Sequence, residues 1–335
     1  MHRSVDEITG SKRLRRMRRD DWSRRLVREN DLTVSDLIWP IFLIEGQDAV
    51  EPIDAMPGVE RLTVDRAIAA AQRARELGIP AIATFPNIPI EKRDRTGSHS
   101  LDADNLINHA TRAIKAAVPD IGIITDAALD PFTDHGHDGV LEGGIIVNDE
   151  SVEKIAKAAV GQAMAGADII APSDMMDGRV GAIRDALDDA GFQDVAIMSY
   201  ATKFASAYYG PYREAIGTAG VLKGDKKTYY IDPANTDEAM RETEADLLEG
   251  ADMVMVKPGL PYLDICRRVK DTFQVPTFAY QVSGEYAMIE AAAANGWLDG
   301  ERVMMESLLA FKRAGCDGIL TYFAPRAAEI LQEKG

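Results

Sequence analysis

Three times along this chain a helical stretch ends in glycine, a small residue and aspartate, and a short apolar run follows at once. The joints are Gly166-Ala167-Asp168, Gly250-Ala251-Asp252 and Gly315-Cys316-Asp317. Glycine tolerates the left-handed conformation that closes a helix, so each joint is a helix stop feeding a strand. Apolar runs that would be strands fall at Leu37–Ile44, Ala81–Phe85, Ile121–Asp126, Asp168–Pro172, Val195–Ser199, Met253–Val256, Thr277–Gln281 and Gly318–Tyr322. Most lack apolar/polar alternation, as strands buried on both faces do. Helical periodicity covers Val64–Leu77, Val152–Ala165, Asp237–Leu248 and Glu301–Ala314, and an Asn-Thr pair stands ready to cap the third. Eight strands alternating with helices predict an α/β fold, a (β/α)8 TIM barrel. An open doubly wound sheet is the other arrangement of such units, but no G-x-G-x-x-G follows the first strand.

Composition narrows the function. With 335 residues and 46 % hydrophobic side chains, the chain can fill one large barrel core. A net charge of -16 disfavours nucleic acid and anionic membranes as partners. The exception is Lys12 to Arg28, KRLRRMRRDDWSRRLVR. It could be a solvated arm, an RNA-binding element, or an arm that embraces the acidic body of another copy. Leu14, Met17, Trp22 and Leu26 would supply apolar contacts, and we favour the last reading. The expected division is therefore residues 1–35 as an assembly arm and 36–335 as the catalytic barrel. Cys266 and Cys316 form no CxxC pair and read as small buried residues. No signal-peptide pattern or membrane-spanning run is visible, so a cytoplasmic protein is expected.

Chemistry in a barrel sits at the C-terminal ends of the strands. The candidates there are Asp126, Asp130, Asp138, Asp174, Asp177, Lys203, Lys257, Ser283 and Tyr322. Lys257 ends the apolar run MVMVKPG. A lysine so placed pairs with a carboxylate, snorkels outward, or loses its proton and becomes a nucleophile for a ketone. Lys203 lies just past the preceding strand, and two neighbouring ammonium groups disfavour each other's protonation. One such lysine suits an aldolase; two suit an enzyme holding two carbonyl substrates side by side. FASAYYGPYREAIG, after Lys203, reads as a lid that would keep water from an imine. Arg213 and Lys226 are candidate carboxylate binders or ordinary surface charge. DAALDPFTDHGHDG, residues 126–139, is either a ligand loop for a hard cation or a turn-rich loop; His135 and His137 give a weak zinc signal.

These blocks, with APSDMMDGR, SYATKFASAYYGPYREA, DMVMVKPGLPYLD, YQVSGEYAM and ESLLAFKRAGCDGILTYFA, closely resemble those of the porphobilinogen synthases, also called 5-aminolevulinate dehydratases. The resemblance covers nearly the whole chain, in order. It implies condensation of two 5-aminolevulinate molecules to porphobilinogen, with loss of two waters, in tetrapyrrole biosynthesis. It implies Schiff bases on Lys203 and Lys257, one substrate carboxylate on Arg213 and Lys226, and the other on Ser283 and Tyr322. Asp126, Asp130, Asp138 and Ser173 stand as supporting candidates. Where zinc-dependent members carry three cysteines, this chain has Ala128, Asp130 and Asp138, so thiolate ligation of zinc is excluded. The implied metal is allosteric Mg2+ at Glu242, with a monovalent ion or Mg2+ near Asp130 and Asp138 left open. The implied assembly is an octamer of dimers or a hexamer, its arm wrapping a neighbour. Tyr230 stands where many members carry Gln. The alternatives are a one-lysine class I aldolase and a non-catalytic assembly protein.

Overall fold

A computed structural model describes residues 14–218 and 220–333. Eight parallel strands close into a barrel: β1 Leu37–Leu43, β2 Ala81–Pro86, β3 Gly122–Ala127, β4 Ile169–Pro172, β5 Ala196–Lys203, β6 Met253–Lys257, β7 Thr277–Gln281 and β8 Gly318–Thr321. β8 pairs back onto β1, Ile319 opposite Leu37, and this closure rules out the open sheet. The helices are α1 Val64–Glu76, α2 Leu106–Ala117, α3 Asn148–Met164, α4 Arg179–Asp189, α5 Asp237–Leu248, α6 Leu263–Phe273, α7 Ser283–Ala294, α8 Gly300–Ala314 and α9 Ala324–Glu333. Two short hairpins, Val50–Leu62 and Val140–Val147, decorate the barrel, and a short helix, Gly210–Ala215, follows β5.

The three glycine joints have one physical design. Gly166, Gly250 and Gly315 hold φ of +101°, +109° and +99°. At each, the glycine amide and the next amide donate back to the last helical turn, which completes a Schellman stop. The aspartate then works at two points. Its amide donates to the carbonyl of a residue at the base of the preceding barrel strand, and its carboxylate accepts that same residue's amide. Asp168 clamps Ile123, Asp252 clamps Ile197 and Asp317 clamps Thr277, each carboxylate contact at 2.8 Å. Lys115 and Lys270 neutralise Asp168 and Asp317, each at 2.7 Å. The sequence repeat is thus a strand-pairing clamp at the base of the barrel, opposite the catalytic end.

Element ends differ from expectation in instructive places. α3 begins at Asn148, ahead of the apolar periodicity, through its acidic first turn Asp149 and Glu150. Thr236 makes no side-chain cap for α5; Asn235 donates instead to Glu238 at 2.6 Å. β5 runs four residues beyond Ser199, so Lys203 is its last residue and lies inside the strand. Cys266 and Cys316 are buried and unbridged. Lys12 and Arg13 lie outside the described residues. The described part of the N-terminal segment carries a 3-10 turn, Leu14–Arg18, and a short helix, Asp21–Leu26, with Leu14, Met17, Trp22 and Leu26 exposed.

Asp252→Ala removes a clamp without touching the catalytic end. It leaves the amide of buried Ile197 without its carboxylate, a loss of about 1–3 kcal/mol. Urea unfolding should show that fall in stability, while turnover at 25 °C stays within twofold of the parent.

Candidate active site

A bulge in β5 builds the site. Val254 of β6 lies opposite Ser199, but Val256 lies opposite Thr202, so β5 carries one extra residue between them. Ser199 faces outward, its hydroxyl accepting from Arg179 of α4 at 3.1 Å. Strict alternation would turn Lys203 outward as well. The extra residue restores it to the interior, directly opposite Lys257 in the ladder. Both lysines are nearly fully buried, at 4 % and 3 % exposure.

Their surroundings differ. Lys203 Nζ donates to Asp138 Oδ1 at 3.2 Å and to the Ser173 carbonyl. Asp138 also meets Lys226 at 2.6 Å and accepts from the Tyr229 and Tyr230 hydroxyls at 3.0 and 2.9 Å. Burial pushes the Asp138 carboxyl up, but Lys203 and Lys226 outweigh it and hold it well below the usual range. Burial pulls Lys226 down, and Asp138 with Asp130 more than offsets it, leaving its ammonium firmly charged. Lys257 makes no ion pair among the described residues. Its Nζ lies 4.7 to 5.6 Å from the ring centroids of Tyr200, Tyr209, Tyr212 and Tyr280. Burial first, then the Lys203 charge, brings the Lys257 amine down to about 7. One lysine therefore has a carboxylate counter-ion, and the other is half-neutral near physiological pH.

Asp126, at the end of β3, is raised to about 6 by burial and by Asp130, against the pull of Lys257. Its Oδ1 is buried without a hydrogen-bond partner. It is the carboxylate best suited to accept and return a proton beside the two amines. Asp130 reaches Lys226 at 3.4 Å. Asp138 has both oxygens occupied by two lysines and two phenols, a counter-ion's arrangement. His135 and His137 are hydrogen-bonded: His135 Nε2 to the Arg95 carbonyl at 3.0 Å, His137 Nε2 to the Lys223 carbonyl at 2.7 Å. His135 ties the aspartate loop to the loop after β2, and His137 ties it to the segment after the lid.

The lid, from Ala207 through the helix Gly210–Ala215, is docked over the lysines. The Tyr212 amide donates to Ser283 Oγ at 2.9 Å, and Ser283 donates to the Tyr208 carbonyl at 3.4 Å. A Cβ at Gly284 would collide with that carbonyl, so glycine is required for the close approach. Arg61 donates to the carbonyls of Glu214 and Ala215, and Arg93 to those of Ile216 and Gly217, at 2.7 to 3.1 Å. Two arginines thus satisfy the orphan carbonyls at the C-terminal end of the lid helix. The space left beneath, lined by Asp130, Lys203, Tyr212, Arg213, Lys226, Tyr230 and Lys257, is about 20 Å³. That holds roughly one water, so the lid must lift to admit a substrate. Arg213 has no carboxylate partner among the described residues. Tyr322 shares a hydrogen bond with Tyr280 at 2.8 Å, behind Lys257. Glu285 accepts amides from Val282, Gly259 and Leu260 and so joins the turn after Lys257 to the start of α7, where Ser283 sits.

Glu242 lies away from the lysines. It lines a cavity of about 900 Å³ with Asp177 and Glu238, on the far side of Tyr229 and Tyr230. Burial raises its carboxyl; nearby Arg179 opposes this, and Asp246, Asp177 and Glu238 add to the rise. A second, more apolar groove, about 780 Å³, runs between α3 and α4 but carries no buried nucleophile.

Sequence reasoning missed the four tyrosines around Lys257, Tyr229 and the bond from Tyr230 to Asp138, and the Arg61–Arg93 latch. Arg93→Ala should loosen the lid selectively. Hydrogen exchange of amides 210–217 is expected to speed up tenfold or more, with the β5 and β6 amides unchanged.

The delta-aminolevulinic acid dehydratase family model matches residues 11–330. The chain is 64 % identical over 323 residues to the delta-aminolevulinic acid dehydratase of Bradyrhizobium diazoefficiens, covering 96 % of this chain and 92 % of that protein. It is 56 % identical to that of Rhodobacter capsulatus, covering 95 % and 96 %. Among solved structures, the Toxoplasma gondii delta-aminolevulinic acid dehydratase (porphobilinogen synthase), in complex with the reaction product porphobilinogen, superposes with a TM-score of 0.95 at 44 % identity, covering 97 % of this chain and 92 % of that one.

Proposed function

The chain belongs to the delta-aminolevulinic acid dehydratase family and is a hydro-lyase that condenses two 5-aminolevulinate molecules to porphobilinogen; from that premise we propose that Lys257 and Lys203 carry the reaction as paired Schiff bases. The in-register placement of the two amines, with Lys257 brought down to about 7, carries this reading.

The half-neutral Lys257 attacks first. Its amine adds to one ketone, water leaves, and an imine forms. Lys203 does the same with the second substrate, so the two waters lost overall leave at these two condensations. Deprotonation next to one imine gives an enamine, whose carbon bonds to the other imine carbon. The free amine of one substrate attacks the remaining imine carbon, and both lysines depart as amines. Asp126, titrating near 6, is the group we assign to these proton transfers, with Ser173 beside it. Arg213, unpaired under the lid, takes one substrate carboxylate, and Lys226 turns to it from Asp138. Ser283 and Tyr322 take the other once the lid lifts and Tyr212 gives up the Ser283 hydroxyl. Holding both substrates under a closed lid contributes orientation on the order of 7–11 kcal/mol in favourable cases.

Among the described residues no three His, Cys, Asp or Glu side chains gather to hold a metal. We therefore propose one-carboxylate magnesium binding at Glu242, where the negative charge of Asp177 and Glu238 favours a hydrated Mg2+. The group would offset that charge and brace the cavity wall shared with Tyr229 and Tyr230. Zinc is not proposed, nor an ion at Asp138, whose oxygens are engaged by the lysines. We also propose a homo-oligomer, an octamer or hexamer, with residues 1–35 as the arm on a neighbouring barrel. The exposed Trp22 and Leu26 of a basic segment support it. No helix among the described residues is long and apolar enough to cross a membrane, and a cytoplasmic setting is proposed.

Lys257→Ala should abolish porphobilinogen formation, followed colorimetrically, whereas a residual rate above a hundredth of the parent's would overturn the assignment. Because protonation disables Lys257, kcat/KM should fall about tenfold per pH unit below about 7, and more steeply below about 6, where Asp126 is protonated as well. EDTA should lower both activity and Tm, and Mg2+ should restore both, in the parent and not in Glu242→Ala.

A further inference from the structure

Tyr230 contacts the catalytic groups more closely than any role assigned above requires. It is buried, and its ring is set edge-on against Tyr229 and Tyr209 at 5.0 and 6.3 Å. Its hydroxyl straddles the Asp138 carboxylate, 2.9 Å from Oδ1 and 3.1 Å from Oδ2. Its ring centroid lies 4.4 Å from Lys203 Nζ and 5.6 Å from Lys226 Nζ.

The two lysines compete for that carboxylate unequally. Lys226 holds Oδ2 at 2.6 Å, and Lys203 holds Oδ1 at 3.2 Å. Tyr229 donates to Oδ2 alone, on the Lys226 side. A carboxylate pulled harder at one oxygen turns toward the stronger partner unless something fixes its rotation. The Tyr230 hydroxyl, bonded across both oxygens, fixes it. The same residue's ring face attracts the Lys203 ammonium, which sets the amine from a second side.

We propose that Tyr230 is a positioning residue for the second amine: acting through Asp138, it holds Lys203 beside Lys257 so that Lys203 can form its own imine. A glutamine at this position could donate to Asp138 but offers no aromatic face to Lys203. The inference rests on the paired-imine reading above.

Borohydride trapping separates the two. The enzyme is mixed with 5-aminolevulinate and sodium borohydride, hydride adds to each imine carbon, and the resulting secondary amines are located by peptide mass spectrometry. The parent should carry substrate on both lysines. Tyr230→Phe should label Lys257 at the parent's yield and Lys203 about tenfold less, as befits one charge-assisted hydrogen bond. Tyr230→Gln should regain part of the Lys203 label. Equal labelling of both lysines in Tyr230→Phe, or equal loss from both, overturns the proposal while the paired imines stand. A parent that traps substrate on neither lysine overturns both.

Discussion

Two lysines side by side in a dry barrel mouth cannot share one protonation state, and the site is organised around that constraint. Removing an ammonium from water is costly unless a carboxylate meets it or its proton leaves. The protein uses one solution for each lysine. Lys203 has Asp138, and Lys257 has four tyrosine rings and no ion pair. The positive charge of Lys203 adds to burial in lowering Lys257. Chemically equivalent residues thereby become distinct, one held by a carboxylate and the other by aromatic rings alone.

The backbone feature beneath this is the β5 bulge. The two lysines can face each other only because β5 gains one residue on β6 between Ser199 and Thr202. The extra residue also lets Tyr200 and Lys203, three apart, both point inward. The Tyr200 carbonyl, within the bulge, lies 3.5 Å from Arg179, whose guanidinium is clasped by Asp246 at 2.9 and 3.0 Å. A buried ion pair adds little net stability by itself. Here it has a position to hold, tying α4 and α5 to the irregular stretch of strand.

Much of the barrel was legible because its signals are local. Each Gly-X-Asp joint carries its helix stop and strand start within three residues, and the strands are short apolar runs. The end of β5 was not legible, since polar Ser199, Thr202 and Lys203 break up the apolar run by which these strands are marked. The N-terminus of α3 was hidden because its first turn is acidic and faces solvent. At the site, the lysines and the aspartate loop stood out as charges in apolar or turn-rich context. Tyr200, Tyr209, Tyr212 and Tyr280 did not. They come from β5, the lid and β7, and each alone reads as ordinary core.

The lid shows the same division between local and distant information. Its composition, rich in Ala, Ser, Tyr and Gly, marks it as a cover, but not what fastens it. Arg61 comes from a hairpin after β1 and Arg93 from the loop after β2, about 150 and 120 residues earlier in the chain by their hydrogen-bond separations. These contacts are to backbone carbonyls, so no complementary charge appears in the lid sequence. At the other end Tyr212 and Tyr208 occupy Ser283, a proposed carboxylate binder. The closed lid thus satisfies with its own backbone the hydroxyl that a substrate would otherwise take. Opening breaks those bonds and binding replaces them, so closure over bound substrate must draw its net gain from Arg213, the lid-helix residue that has no carboxylate partner among the described residues.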